Sequence, residues 1–163
     1  MKSVAIIAAL FFTYIATAFG AGSSSYTPSV KPEIREYNKG VSLMMKKQFS
    51  KAEDRFRRAL EKNEQFAEAH NNLAYVLRKQ GPEHYDEALT HYNRAIELNS
   101  GLPEPYMYRG VLYMQMNLTE QAEQDYRTLS RMDAALASEL RYVIENGMEK
   151  QPEQFFGVSG KLN

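Results

Sequence analysis

The sequence predicts an all-α protein made of three helix–turn–helix units and a closing helix, on three observations. Apolar residues recur at helical spacing from about Glu33 to Gly147, with no alternating strand-like segment of any length. Small and aromatic residues recur at a longer period. Gly40, Ala74 and Gly110 stand 34 and 36 residues apart, and Ala52, Ala88 and Ala122 stand 36 and 34 apart. Phe56, Tyr92 and Tyr126 follow those alanines by four residues, and Ala59, Ala95 and Leu129 follow by seven. Finally, turn-forming residues fall between the helical runs, at Gln48-Phe49-Ser50, Gly81-Pro82, Asn99-Ser100-Gly101 and Asn117-Leu118-Thr119.

The elements follow in chain order. Residues 1–20 carry one charge, Lys2, an apolar block from Val4 to Phe12, and small residues at Ala16, Ala18 and Gly20. That order of charged, apolar and small regions reads as a secretory signal peptide, cleaved after Ala18 or after Gly20. An uncleaved anchor is the alternative, but the uncharged run falls short of the ~20 residues a bilayer span needs. Residues 21–32, rich in Ser, Gly and Pro, read as a flexible linker.

The repeat domain spans 33–147, with units at 33–66, 67–102 and 103–136. In each, the small residue of the first helix is expected to let it approach the second closely. The aromatics Phe56, Tyr92 and Tyr126 are expected to fill the space between successive pairs, where a large side chain buries most area. Ser50 with Glu53, and Asn117 with Glu120, have the spacing of capping boxes. Pro103 and Pro105 suit the first turn of a helix, where a missing N–H costs little. Leu129, large where units one and two have alanine, predicts altered packing in unit three. The closing helix covers 134–147: Leu136, Leu140, Val143 and Ile144 share one face, and Gly147 suits the residue after a helix end. Residues 148–163 form a C-terminal tail of loop composition apart from Phe155-Phe156.

Composition narrows the function. The 20 basic and 20 acidic residues cancel, which argues against a nucleic-acid binder, whose surface would be consistently basic. Seven basic and four acidic residues between Lys46 and Glu64, against four and seven from Gln115 to Lys150, make a mild dipole of interleaved charges. With no cysteine there is no disulfide framework, thiol nucleophile or Cys-ligated zinc. His70, His84 and His91 form no metal-binding pair with a third ligand at useful spacing, and no nucleophile elbow or phosphate loop is present. The expectation is a non-enzyme with no metal and no cofactor.

The combined pattern resembles the tetratricopeptide repeat, a 34-residue helix pair with aromatic, Leu-Gly, aromatic, Ala, aromatic and Pro positions. The alanine, aromatic and small positions match in all three units, over about two thirds of the chain. Two positions depart. The aromatic near each unit start is Glu36, His70 and Tyr106, and the closing proline is Glu64, Ser100 and Ala134. His70 is expected to pack where an aromatic normally does.

The resemblance implies a right-handed superhelix whose first helices line a concave groove for an extended partner segment. From unit one the groove residues would be Tyr37, Val41, Met44 and Met45. Unit two would supply Asn71, Asn72, Tyr75, Arg78 and Lys79; unit three Met107, Tyr108, Val111, Met114 and Gln115. Methionine adapts to irregular apolar partners, and asparagine can bond a peptide backbone in both directions. Some of the methionines are equally readable as core. Asn72 and Tyr75 are expected to point away from the helix-pair core. The subtype that clamps a C-terminal carboxylate is not matched: its basic and amide positions are Tyr37, Val41, Asn72, Glu104 and Tyr108, of which only Asn72 agrees.

The expected function is a scaffold or adaptor of the cell envelope or secretory space, binding a protein or peptide. The alternative is a structural subunit whose repeats mediate self-assembly, and a homo-oligomer stays open. Export without cysteine suits a periplasm. Secretion, for which Asn117-Leu118-Thr119 would be a sequon, and N-terminal anchoring are the alternatives.

Overall fold

The computed structural model describes residues 30–149 and 160–163. The expected signal peptide and most of the linker and tail lie outside the described residues. Among the described residues seven α-helices follow one another: α1 (Pro32–Met44), α2 (Phe49–Lys62), α3 (Ala67–Gln80), α4 (Tyr85–Leu98), α5 (Glu104–Gln115), α6 (Thr119–Leu129) and α7 (Ala134–Asn146). No strand occurs among the described residues, and none of their helices is long and apolar enough to cross a membrane.

Helices α1, α3, α5 and α7 form one layer, in which each touches the next. Helices α2, α4 and α6 form a second, each packed against its own partner and the first helix of the following unit. The layering follows from the small residues. A Cβ built on Gly40 would sit 2.6 Å from the Phe56 ring, so α1 meets α2 at a distance only glycine allows. Ala52, Ala59, Ala74, Ala88, Ala95 and Ala122 are all fully buried at matching contacts. The core runs continuously through the units, with Phe56, Tyr92, Leu77, Leu112 and Leu140 wholly enclosed.

Two expectations fail in instructive ways. Tyr126 is not enclosed as Phe56 and Tyr92 are; it is half-buried, with the Arg141 guanidinium 5.4 Å from its ring. Fully buried Leu129 occupies the space left open by alanine in the other units, and the inward face of α6 becomes Ala122, Asp125 and Leu129. A Cβ on Gly110 accordingly meets Leu140 of α7, at 2.6 Å, rather than an aromatic of α6.

The capping boxes are not formed either. Helix α1 ends in a Schellman turn: Lys47 has φ +58, its N–H donates to the Met44 carbonyl, and the Gln48 N–H donates to the Leu43 carbonyl. Gln48 is at once the last residue of that turn and the N-cap of α2, which places Ser50 inside the helix. The α5–α6 link repeats this geometry, with Asn117 at φ +60 and Leu118 as N-cap. The side-chain cap that does form is Asp133, which accepts from the Ala135 and Leu136 N–H groups at 2.9 Å. Pro105 lies in the first turn of α5, and Gly147 adopts φ +74 after α7, both as the sequence predicts.

Candidate functional site: the layer of first helices

Helix α3 is the centre of the site and is buried on every side. All ten residues from Ala69 to Arg78 are inaccessible, although they include His70, Asn71, Asn72 and Arg78. Contacts with α2, α4, α1 and α5 account for most of its circumference. A helix with four buried polar residues needs a partner for each, and the structure supplies several.

The first-helix layer carries a chain of hydrogen bonds. The Asn71 Nδ2 donates to Asn72 Oδ1 at 3.2 Å, and Asn72 Nδ2 donates to the Tyr37 hydroxyl at 3.0 Å. That hydroxyl in turn donates to the carbonyl of Gly160 at 2.7 Å. One turn face away, Asn38 bonds the main chain of Leu162 in both directions. Its Nδ2 donates to the Leu162 carbonyl at 2.5 Å, and the Leu162 N–H donates to its Oδ1 at 2.9 Å. The Leu162 side chain packs against the core. Residues 160–162 thus lie on α1 with their backbone read by side-chain amide and phenol groups.

At the other end of the layer sits Arg78. Its side chain is wholly buried, 5.4 Å from the Tyr75 ring and 5.0 Å from the Tyr108 ring. Its Nη1 donates to Glu149 Oε1 at 2.5 Å and more weakly to Gln115 at 3.3 Å, while Nε and Nη2 have no hydrogen-bond partner. Lys79 Nζ lies 3.7 Å from the same Glu149 carboxylate. Burial works against the Arg78 charge, but the Tyr92 oxygen and the Glu149 carboxylate outweigh it and hold the guanidinium more firmly protonated. Burial, with Tyr75 beside it, pushes the Tyr108 phenol up, so it is a neutral donor.

The other sequence-predicted residues divide between core and surface. Met44, Met107, Val41 and Val111 are buried, Met114 is half-buried, and Met45 is 55% exposed. Gln115 is exposed. Tyr75 differs from expectation: it is enclosed between Phe49 and Tyr108, ring centroids 6.3 and 4.9 Å away, so it is part of the packing of this layer. Asn38 and Glu149 escaped sequence reasoning. Asn38 is an ordinary helical residue until residues 160–162 fold back on it, and Glu149 belongs to a stretch of loop composition.

Between the two layers, His70 of α3 packs into the core as expected, but its partner is His91 of α4, with the Nδ1 atoms 2.8 Å apart and hydrogen-bonded. Burial and the neighbouring His70 bring His91 down to about 4. His84 stands apart, 4.0 Å from Glu83.

The described residues form a stack of helix pairs whose first-helix layer holds the main chain of residues 160–162. Tetratricopeptide-repeat family models match residues 56–90 and 83–117. Residues 56–117 thus carry tetratricopeptide repeats, and that repeat family is one of non-enzymatic interaction scaffolds. Solved structures with the same fold include the first such domain of Spaghetti (RPAP3) bound to an HSP90 peptide, 19% identical, with a TM-score of 0.63. That likeness covers 71% of this chain and 91% of the other. The Arabidopsis OM64 domain is 17% identical, covering 71% and 96%, with a TM-score of 0.65. PcrH in complex with the chaperone-binding region of PopD is 17% identical, covering 68% and 86%, with a TM-score of 0.62. No curated protein matches the chain by sequence.

Proposed function

We propose that this chain is an exported, non-catalytic adaptor that holds an extended segment of a partner protein against its first-helix layer. One observation carries the reading: the Asn38 amide makes a two-way hydrogen bond to the main chain of Leu162, with Tyr37 bonding the same segment two residues earlier. Such contacts recognise backbone whatever the side chains, which is what a segment-binding face requires. Two structures that share the fold carry partner segments, an HSP90 peptide and a region of PopD, and support the same use of the face.

A displayed library of random peptides, panned against the full chain, tests the reading. Retained segments should be lost on Asn38→Ala and kept on Arg58→Ala, an exposed position on α2. Segments lost with Arg58→Ala and kept with Asn38→Ala would place recognition on the other layer. Export has its own test. Protein recovered from outside the cytoplasm should begin between Phe19 and Ser23, and an intact Met1 there would refute cleavage.

A further inference from the structure

We propose that Glu149, at Arg78, and residues 160–162, on α1, are intramolecular ligands of the first-helix face, so that a partner binds by displacing them. The proposal rests on the segment-binding reading above and names both the resident occupant and the chemistry of its competitor. The anchors are independent and of different kinds. One is a carboxylate on a wholly buried guanidinium flanked by two tyrosine rings, with Lys79 beside it. The other is main chain, paired in both directions with Asn38 and bonded by the Tyr37 hydroxyl, with Leu162 packed on the core.

These contacts have the form expected of a foreign ligand rather than of a repeat. Residues 160–162 belong to no helix of the repeat units. The Arg78 side chain is solvent-free, yet its Nε and Nη2 atoms have no hydrogen-bond partner. A buried guanidinium with spare donors is poised for a better-placed carboxylate than Glu149 alone provides. The competitor is therefore an extended segment that brings an acidic side chain to Arg78 and Lys79 and lays its backbone along Asn38. Because the resident segment is tethered, its effective concentration is high, and a free segment meets a face that is only fractionally open.

The full chain can be used throughout. Its Leu162 amide should exchange with deuterium at least about tenfold more slowly than in an isolated peptide of residues 157–163, as a hydrogen-bonded amide does. Asn38→Ala should return it to the peptide rate without changing the helical circular dichroism. Leu162→Pro removes the donor from the ligand and leaves the face intact. That variant should bind the 157–163 peptide about tenfold more tightly than the parent chain. Peptides selected on Leu162→Pro combined with Glu149→Gln should be enriched in Asp and Glu.

Exchange at the peptide rate in the parent chain, or equal peptide affinity for parent and Leu162→Pro, overturns the intramolecular ligand. Protection that rises with protein concentration does so too, because it seats the segment on a second copy. Selected peptides without acidic enrichment overturn the carboxylate requirement. Failure of the adaptor reading would look different: Leu162 protected in the parent chain, and no displayed segment retained even by Leu162→Pro.

Discussion

In the first two units the aromatic ring of the second helix is wholly enclosed, whereas in the third the equivalent ring lies partly in solvent. Phe56 and Tyr92 have no exposed surface, and each is followed three residues later by a fully buried alanine, Ala59 or Ala95. Tyr126 is followed by Leu129, and the larger side chain takes the enclosed position instead. The packing there is rebuilt from other parts. Leu140 of α7 reaches Gly110, and Asp125 turns inward to receive Arg109. The contrast shows that an aromatic at a repeat position is core only if its neighbour one turn on is small enough to admit it.

The largest test of this contrast is truncation of the two rings. Phe56→Ala empties an enclosed site against Gly40 and Tyr37, and should cost ~3–5 kcal/mol in chemical denaturation. Tyr126→Ala removes a half-exposed ring and one cation–π contact, and should cost about 1 kcal/mol or less. Equal losses would mean that the two rings play the same part after all.

Next in size is the ion pair peculiar to unit three. Arg109 donates through Nε and Nη2 to the two oxygens of Asp125 at 2.9 and 2.6 Å, and through Nη1 to Asn93 of α4 at 2.7 Å. Asp125 is 2% exposed, so Asp125→Ala leaves a mostly buried guanidinium with one partner. A loss of about 3 kcal/mol is expected, at the lower end for a broken buried pair because Arg109 retains some contact with water. The double change Arg109→Met with Asp125→Leu should recover most of it, since an apolar pair of similar volume has no stranded charge. If the double variant is no more stable than Asp125→Ala, the pair is not what holds α5 to α6.

Acid titration separates the same regions. In unit one, hydrogen bonds from Lys39 and Arg55 hold the Glu36 carboxyl at about 2, against burial acting the other way. In unit three, burial outweighs Arg109 and raises Asp125. Glu36, depressed in the folded state, stabilises it above its ordinary value of 4.5, and that contribution is lost as pH falls toward 2. His91 resists protonation when folded, so stability is also lost as pH falls from its ordinary 6.5 to about 4. The melting temperature should therefore decline in two stages. His91→Gln should shrink the upper stage, leaving the part due to His70, which burial also holds below its ordinary value. Glu36→Gln should remove the lower, while Asp125→Asn should leave both in place. A lower stage that survives Glu36→Gln would contradict this account.

How much of this was legible beforehand depends on what set each feature. The helix pairs and the enclosed alanines follow from periodicity, because one small residue per helix determines how near its partner can come. Altered packing at Leu129 was readable from its size, but the compensating pair of Arg109 and Asp125 was not. Their sixteen-residue separation becomes a contact only once α5 and α6 are antiparallel. The helix starts were misread because Ser50 and Asn117 have capping-box spacing, yet the turn before each helix had already used the cap position. On the candidate face, Tyr37, Asn72 and Arg78 could be placed from the repeat register. Asn38 and Glu149 could not, since their roles depend on a segment that has no repeat register.

The smallest effect expected distinguishes the two Schellman turns. Lys47 and Asn117 occupy the same left-handed position after α1 and α5, at φ +58 and +60. That conformation brings Cβ close to the following carbonyl, costing an ordinary residue ~1–2 kcal/mol, whereas asparagine tolerates it better. Glycine removes the crowding but gives the unfolded chain more freedom, an opposing ~0.4–1 kcal/mol. Lys47→Gly should therefore stabilise the fold by about 0.5–1 kcal/mol, and Asn117→Gly should be close to neutral. Both are read as shifts in a urea midpoint at constant slope, which keeps the comparison free of changes in compactness. A larger gain at Asn117 than at Lys47 would show that something beyond the backbone angle sets the stability of the third unit's turn.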